Sequence, residues 1–149
     1  MRQAVQAACL RYLSRREYGR AELRQKLLAK GYPESLVDEV VADALRAGLQ
    51  SDARFAEVFV RSRVGKGYGL NRIRQELRQR GIEDDSDLKA TDWDGVIERA
   101  YAKKFGETLP ESLPERAARE RFLLQRGFGR DHIRQLFRRL RQGDRLTDD

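Results

Sequence analysis

The sequence has few of the residues that build disulfides, metal sites and membrane spans. Its 149 residues include a single cysteine, Cys9, and a single histidine, His132. One cysteine excludes an intrachain disulfide, and these two residues are too few for an ordinary zinc site. No apolar run approaches the ~20 residues of a membrane-spanning helix. We therefore expect a protein without metal, cofactor or membrane span.

The start of the chain also lacks the apolar core of a signal peptide. The stretch "MRQAVQAACLRYL" is interrupted by Arg2 and Arg11, whereas a secretory signal has an unbroken apolar region. Cys9 lies among small and apolar residues and is predicted to belong to the core. These features predict a cytoplasmic protein.

Proline and alternating hydrophobic patterns are scarce, while charge is abundant. The chain has three prolines, and 37% of its residues are charged against 40% that are hydrophobic. A charge content this high is typical of long amphipathic helices, and no useful stretch shows the period-two pattern of a strand. The sequence therefore predicts an all-α protein.

The charge is mainly positive and mainly arginine. The net charge is +7, and only six of the 31 Lys and Arg residues are lysines. Such an excess attracts nucleic acid or acidic protein surfaces. A coding bias that leaves a solvated arginine-rich surface explains the composition equally well.

A sequence pattern recurs three times, in "YGRAELRQKLLAKG" (18–31), "YGLNRIRQELRQRG" (68–81) and "FGRDHIRQLFRRLR" (128–141). Each copy begins with an aromatic residue followed by a glycine. An aliphatic residue then precedes Arg-Gln, and a second apolar residue lies four positions after the aliphatic one. The shared positions are Tyr18, Gly19, Leu23, Leu27, Tyr68, Gly69, Ile73, Leu77, Phe128, Gly129, Ile133 and Phe137. Recurrence at a spacing near 50 residues predicts tandem helical repeats.

Each repeat is predicted to be a helix, a tight turn, a second helix and a closing third helix. The predicted repeats cover 1–50, 51–104 and 105–141, with a short or missing third helix in the last, and a tail covers 142–149. The predicted helices include segments at about 3–16, 20–30, 34–47, 53–64 and 130–141. Asp52 is the predicted cap of the fourth of these, and Thr91 or Asp92 opens a later helix after the acidic connector "EDDSDLKATD". Leu45 and Val58 are predicted to face the core.

The glycine cluster of the middle copy raises the question of a phosphate-binding loop. A P-loop requires GxxxxGK[ST] after a strand, and no strand pattern precedes Gly65, Gly67 and Gly69. Because Gly69 has a counterpart in both other copies, it is predicted to form an inter-helix turn. Gly65 and Gly67 occur only in the middle copy, where they either loosen the turn or allow another backbone to approach.

Candidate catalytic groups are scarce. His132 lies in the first turn of a predicted helix, which favours a surface or capping role. Ser14 and Ser62 have no adjacent base. The acidic connector at 84–87 could hold Mg²⁺, but isolated acidic segments usually cap helices or remain solvated. We therefore predict that the protein is not an enzyme.

Positive charge is concentrated around the repeated pattern. Residues 11–30, 61–80 and 116–141 hold seven, seven and nine Lys or Arg, against two, one and two Asp or Glu. Arginines four positions apart share one face of a helix, and the predicted rows are Arg20 and Arg24; Arg74 and Arg78; and Arg130, Arg134 and Arg138. Stacked like charges cost a few tenths of a kcal/mol each, so their repetition favours a partner that carries phosphates or carboxylates. The alternative is that the arginine stems pack on the protein and their heads reach water.

The stretch "DARFAEVFVRSRVGKGYGLNRIRQELRQRGI", residues 52–82, closely resembles the signature region of the RecX family of bacterial recombination regulators. The upstream stretch "YGRAELRQKLLAKGYPESLVDEVVADALRAGLQSD" resembles the first repeat of that family. The resemblance covers approximately residues 5–141, and the third copy ends earlier than the family pattern. It implies tandem three-helix repeats in an elongated, curved protein. We expect the protein to be a monomer.

The resemblance also implies a function. RecX proteins bind the RecA recombinase filament on single-stranded DNA, in its helical groove, and inhibit its ATPase, coprotease and strand-exchange activities. This implies a role in regulating recombination, DNA repair and the SOS response, with weak binding to single-stranded and also double-stranded DNA that is independent of sequence. We expect the partner-facing charge at Arg16, Arg24, Lys66, Arg72, Arg74, Arg78, Arg126, Arg134 and Arg138.

Two other functions are compatible with the sequence. A helix-turn-helix protein that reads a specific DNA sequence could use Gln25, Gln75 and Gln135, although no dimerisation zipper is visible. A helical scaffold could instead recruit an acidic protein and ignore DNA. Binding to random and defined duplexes, and to single-stranded DNA with and without recombinase, separates these functions.

Overall fold

A computed structural model describes the backbone of residues 1–147 and the side chains of residues 1–143. Every regular element in this part of the chain is a helix, which confirms the all-α prediction. The helices are α1 (Arg2–Arg15), α2 (Arg20–Ala29), α3 (Glu34–Arg46), α4 (Asp52–Gly65), α5 (Leu70–Gln79), α6 (Ser86–Lys89), α7 (Trp93–Phe105), α8 (Leu113–Arg126) and α9 (Arg130–Thr147). The first two copies each supply three main helices, with α6 as a short addition in the acidic connector.

The helix ends agree with the predicted ones in most copies. Asp92 caps α7, because its side chain accepts a hydrogen bond from the backbone N–H of Gly95 at 3.2 Å. Gly31, which follows α2, has a φ of 89°, the left-handed conformation that glycine readily adopts at the end of a helix. The end of α9 differs, since the helix continues to Thr147 rather than stopping at 141. No proline follows residue 141 to interrupt it. The last two residues of the predicted tail lie outside the described part of the chain.

The start of α4 corrects the prediction for Asp52. Ser51 caps this helix, because its hydroxyl accepts from the backbone N–H of Arg54 at 3.2 Å. The Asp52 carboxylate instead accepts from the backbone N–H of Arg20 at 2.7 Å, at the first turn of α2. The buried side-chain amide of Gln50 donates to the Tyr18 carbonyl at 3.2 Å and to the same carboxylate at 3.0 Å. Gln50 and Asp52 therefore hold the first turn of the repeat pattern in place.

Asp52→Ala is expected to lower the free energy of unfolding by about 1–2 kcal/mol, because it removes the acceptor for an orphan N–H of α2 and one acceptor for buried Gln50. Urea unfolding followed by far-UV circular dichroism measures the loss. Asp52→Asn is the matched control, since its side-chain oxygen can still accept both bonds, and it should lose less than half as much. Equal losses in the two variants would contradict the capping role.

The chain forms two compact units, of which the first contains residues 1–59 and 77–84. Its core lies among α1, α2 and α3, which pack against one another in every pairing. The buried residues are Val5, Ala8, Cys9, Tyr18, Leu23, Leu27, Val37, Val40, Val41 and Ala44. Burial raises the pKa of the Cys9 thiol, in agreement with the predicted core position.

Two predicted core residues are exposed. Leu45 is 42% exposed and Val58 is 44% exposed. The buried residues of α3 are Val37, Val40, Val41 and Ala44, which share one face of the helix. Ala44 therefore faces the core at the position that was predicted for Leu45. The buried residues of α4 are Phe55, Ala56 and Val60, which leaves Val58 on its other side.

The second compact unit contains residues 60–76 and the chain from Asp85 onward. In it α9 packs against both α7 and α8, and the rings of Tyr101 and Phe137 meet edge to face with centroids 5.8 Å apart. Other buried residues are Ile73, Leu88, Trp93, Val96, Ile97, Leu123, Phe128, Ile133 and Leu136. The third helix of the second copy therefore shares a core with the third copy.

A buried arginine, Arg119, lies in the core of the second unit. Arg119 is only 9% exposed, and it donates to the Tyr101 hydroxyl at 2.6 Å and to the Thr108 carbonyl at 2.8 Å. It also forms an ion pair with Glu115. Burial alone lowers the pKa of Arg119, but the hydrogen bonds and charges of Tyr101 and Glu115 raise it overall. No pattern in the sequence had distinguished Arg119 from the exposed arginines around it.

Two turns approach each other closely within the second unit. The backbone N–H of Gly69 donates to the Arg126 carbonyl at 2.8 Å, and that of Asn71 donates to the Gly127 carbonyl at 2.9 Å. A Cβ on Gly69 would lie 2.4 Å from the backbone nitrogen of Phe128. Gly65, in contrast, has no atom within 4 Å of such a Cβ. The close backbone approach therefore occurs at Gly69, and not at the glycines that are unique to the middle copy.

The compact units do not follow the predicted repeat boundaries, because the division passes through α4 and α5. The division at 1–50, 51–104 and 105–141 remains a prediction, as does the elongated, curved shape. None of the helices described up to residue 147 is long and apolar enough to cross a membrane.

Candidate partner interface

The nine basic side chains predicted to face a partner fall into two groups. Those that form ion pairs within the protein are Arg16, Arg24, Arg72 and Arg134. Those that have no carboxylate of residues 1–143 within ion-pair distance are Lys66, Arg74, Arg78, Arg126 and Arg138. The groups differ in how readily they can meet a partner.

Two arginines of the first copy, Arg16 and Arg24, are engaged by neighbouring carboxylates. Arg24 on α2 donates to Asp38 at 2.7 Å and to Glu34 at 2.6 Å, which ties α2 to α3. Its hydrogen bond with Asp38, followed by the Asp38 charge, raises the pKa of Arg24. Arg16 binds both carboxylate oxygens of Glu22, at 3.1 and 3.0 Å. In the predicted row of this copy Arg24 is therefore neutralised, whereas Arg20 is exposed and has no ion-pair partner among residues 1–143.

The middle copy retains unpaired charge on α5. Arg74 and Arg78 lie four residues apart, one turn along the helix, and neither has an ion-pair partner among residues 1–143. Arg78 is exposed and Arg74 is half-buried. Arg72 differs, since it forms an ion pair with Glu76 at 3.0 Å. Helix α5 therefore carries a row of two available guanidinium groups.

The row on α9 is available in part. Arg130 and Arg138 are exposed and have no ion-pair partner in the described chain. Arg134 pairs with Asp131, but the two side chains are 71% and 79% exposed. Pairs this exposed contribute little to stability, so a partner can replace them. The neighbouring Arg139 is held by Glu98 at 2.6 Å.

Guanidinium groups also cover the aromatic residues at the repeat turns. The Arg16 guanidinium lies 3.6 Å from the centre of the Tyr18 ring. The Tyr68 ring is approached by Arg72 at 3.9 Å and by Arg126 at 5.1 Å. Such contacts are typical cation–π interactions. In the first copy the contact is made by the basic residue two positions before the aromatic.

The remaining candidates are Ser14, the three glutamines that follow arginine, and possible metal ligands. The Ser14 hydroxyl donates to the Arg11 carbonyl of its own helix at 2.8 Å. Gln25, Gln75 and Gln135 are exposed. Within the described residues, no group of three or more His, Cys, Asp or Glu side chains is placed to hold a metal ion.

Comparisons with known proteins agree on one family. The model of the first three-helix domain of RecX matches residues 7–43, and that of the second three-helix domain matches residues 51–86. A regulatory protein RecX of Ectopseudomonas mendocina is 40% identical over 140 residues, covering 91% of this chain and 93% of the relative. One from Halorhodospira halophila is 42% identical over 137 residues, covering 89% and 85%. The crystal structure of RecX from Lactobacillus salivarius has a TM-score of 0.77 at 22% identity, covering 95% of this chain and 97% of the other.

Proposed function

Because the chain belongs to the RecX family of regulatory proteins, we propose that it regulates the RecA recombinase. In this proposal it binds the RecA filament on single-stranded DNA, in the helical groove of the filament. Binding inhibits the ATPase, coprotease and strand-exchange activities of the recombinase. The protein acts as a cytoplasmic monomer, and the regulatory character of its relatives supports a role without catalysis or cofactor.

The observation that carries this proposal is the pair of unpaired arginines on α5. Arg74 and Arg78 lie within residues 51–86, the region that matches the second RecX domain. Two nearby arginines, Arg63 and Arg72, have a carboxylate partner in Glu76. A guanidinium group binds carboxylate or phosphate through two parallel hydrogen bonds, so it suits a filament that offers both.

The predicted contact residues differ in whether they must break an ion pair within the protein to bind a partner. Lys66, Arg74, Arg78, Arg126 and Arg138 can contact a partner without losing an ion pair. Arg134 gives up only an exposed pair. Arg16, Arg24 and Arg72 have to release a carboxylate first. We therefore place the main contact on α5 and α9 and assign Arg16 and Arg24 a secondary part.

The single-stranded-DNA-dependent ATPase of the recombinase tests this function. Titration of the protein into preformed filament is expected to lower the ATPase rate in a saturable manner. Heat-denatured protein at the same concentration is the control for the effect of added positive charge. A rate that stays constant up to several-fold excess over recombinase would contradict the proposal.

The exposure of the three glutamines favours one second candidate, a protein that reads a specific duplex sequence. Gln25, Gln75 and Gln135 are each accessible on the second helix of their copy. Binding measured on random and defined duplexes separates the two functions. A strong sequence preference would favour this candidate, whereas binding dominated by phosphates depends steeply on salt and not on sequence.

A further inference from the structure

A small cavity in the second compact unit is lined mainly by basic residues. It has a volume of about 190 Å³ and lies where α4, α7 and α8 end. Its charged and aromatic lining consists of Lys66, Lys103, Lys104, Phe122 and Arg126. Lys103 and Lys104 are exposed and were not among the predicted contact residues. The lining contains no arginine of the rows on α5 and α9, so the cavity is a separate basic site.

The positive charge around this cavity is not neutralised by nearby carboxylates. None of the four basic side chains has an ion-pair partner among residues 1–143. Elsewhere in the same unit Arg116 pairs with Glu120, and Arg139 pairs with Glu98. A basic cluster that has no paired carboxylate can attract an anion from solution.

Helix C-termini explain only part of this arrangement. Lys103 and Lys104 lie in the last turn of α7, and Arg126 lies in the last turn of α8. Each C-terminus carries about half a negative charge, which favours cations nearby. Three termini offset less than half of the four positive charges. The remaining positive charge is available to an anion.

The kind of basic residue favours phosphate over carboxylate as this anion. Three of the six lysines of the chain line this one cavity. The carboxylates of this protein are bound almost entirely by arginine, and Lys89 with Asp85 is the lysine pair seen in the described residues. Lysine is a common phosphate ligand that acts as a compact point charge, and the arginine fork binds phosphate as well as carboxylate.

The size of the cavity limits what can enter it. Pockets for drug-sized ligands begin at about 300 Å³, and one water occupies about 30 Å³ of liquid. A volume near 190 Å³ therefore admits a phosphate group with a few waters but no whole nucleotide. A phosphate that belongs to a longer chain can enter the cavity while the rest of that chain continues outside. The Phe122 ring supports the basic groups, with Lys104 at 5.6 Å and Arg126 at 5.3 Å from its centre.

We propose that this cavity binds a backbone phosphate of single-stranded DNA. The choice of DNA as the source of the phosphate rests on the proposed function, in which single-stranded DNA lies within the filament. The test nevertheless uses DNA without recombinase, so its failure is distinguishable from a failure of recombinase inhibition.

The test is the affinity of Lys103→Gln/Lys104→Gln for a labelled oligothymidine, measured by fluorescence anisotropy between about 50 and 200 mM salt. The dissociation constant is expected to rise about tenfold at the low-salt end. The slope of log affinity against log salt should become shallower by about 0.7 for each phosphate that the variant no longer neutralises. Unchanged Trp93 fluorescence verifies that the variant is folded, since Trp93 is buried in the same unit.

Lys26→Gln/Lys30→Gln is the matched control, because it removes the same charge from exposed lysines outside the cavity. It should change the dissociation constant less than twofold. Equal effects of the two double variants would overturn the proposal. So would a cavity variant that loses binding to polyglutamate and keeps its affinity for DNA.

Discussion

Gly69→Ala is expected to lower the free energy of unfolding by about 3 kcal/mol or more. The added methyl group would lie 2.4 Å from the backbone nitrogen of Phe128 and 2.5 Å from the carbonyl carbon of Gly127. Backbone atoms cannot move aside as a flexible side chain can, so the two turns have to separate. Their separation also weakens the hydrogen bonds from Gly69 to Arg126 and from Asn71 to Gly127.

Urea unfolding followed by the fluorescence of Trp93 measures this loss. Trp93 is 8% exposed, and its indole N–H donates to the Leu88 carbonyl at 2.8 Å within the second unit. Gly65→Ala is the matched control, since it adds the same methyl group on α4 where no atom lies within 4 Å. It should be neutral or stabilise by up to about 1 kcal/mol. A Gly69→Ala variant as stable as this control would show that the turns are not closely packed in solution.

Features that depend on local sequence could be predicted. Helix positions follow the spacing of apolar residues, and the turn after α2 follows from Gly31. The choice between Ala44 and Leu45 could not be made, because it depends on how α3 rotates against its neighbours. Adjacent positions on a helix are about 100° apart, so a small rotation exchanges a buried residue for an exposed one.

Contacts between distant residues left no local signal in the sequence. The Asp52 carboxylate meets the backbone of Arg20 across 32 residues, and Gly69 meets Arg126 across the second and third copies. For the same reason the sequence located the basic stretches but could not show which arginines are paired. Arg24 and Arg78 occupy comparable basic rows, yet Asp38 and Glu34 from α3 engage only the former.

Arg74→Glu/Arg78→Glu is expected to raise the concentration of protein needed for half-inhibition of the recombinase ATPase by about 30-fold. Each reversal is assigned a loss of about 1 kcal/mol, because a repulsion replaces an attraction at a contact near the surface, and 1.4 kcal/mol corresponds to a factor of ten. Neither arginine has an ion-pair partner within residues 1–143, so the protein itself should lose little stability. Circular dichroism and urea unfolding verify this.

The most direct test of a contact through α5 compares ATPase inhibition curves of the wild type, Arg74→Glu/Arg78→Glu and Arg11→Glu/Arg15→Glu. The last variant has the same spacing and charge change on α1, where both arginines are exposed. We predict that the α5 variant requires about 30 times more protein than the wild type, whereas the α1 variant stays within about threefold. Coincident curves for the two variants, whether both unchanged or both equally weakened, would contradict a specific contact through α5.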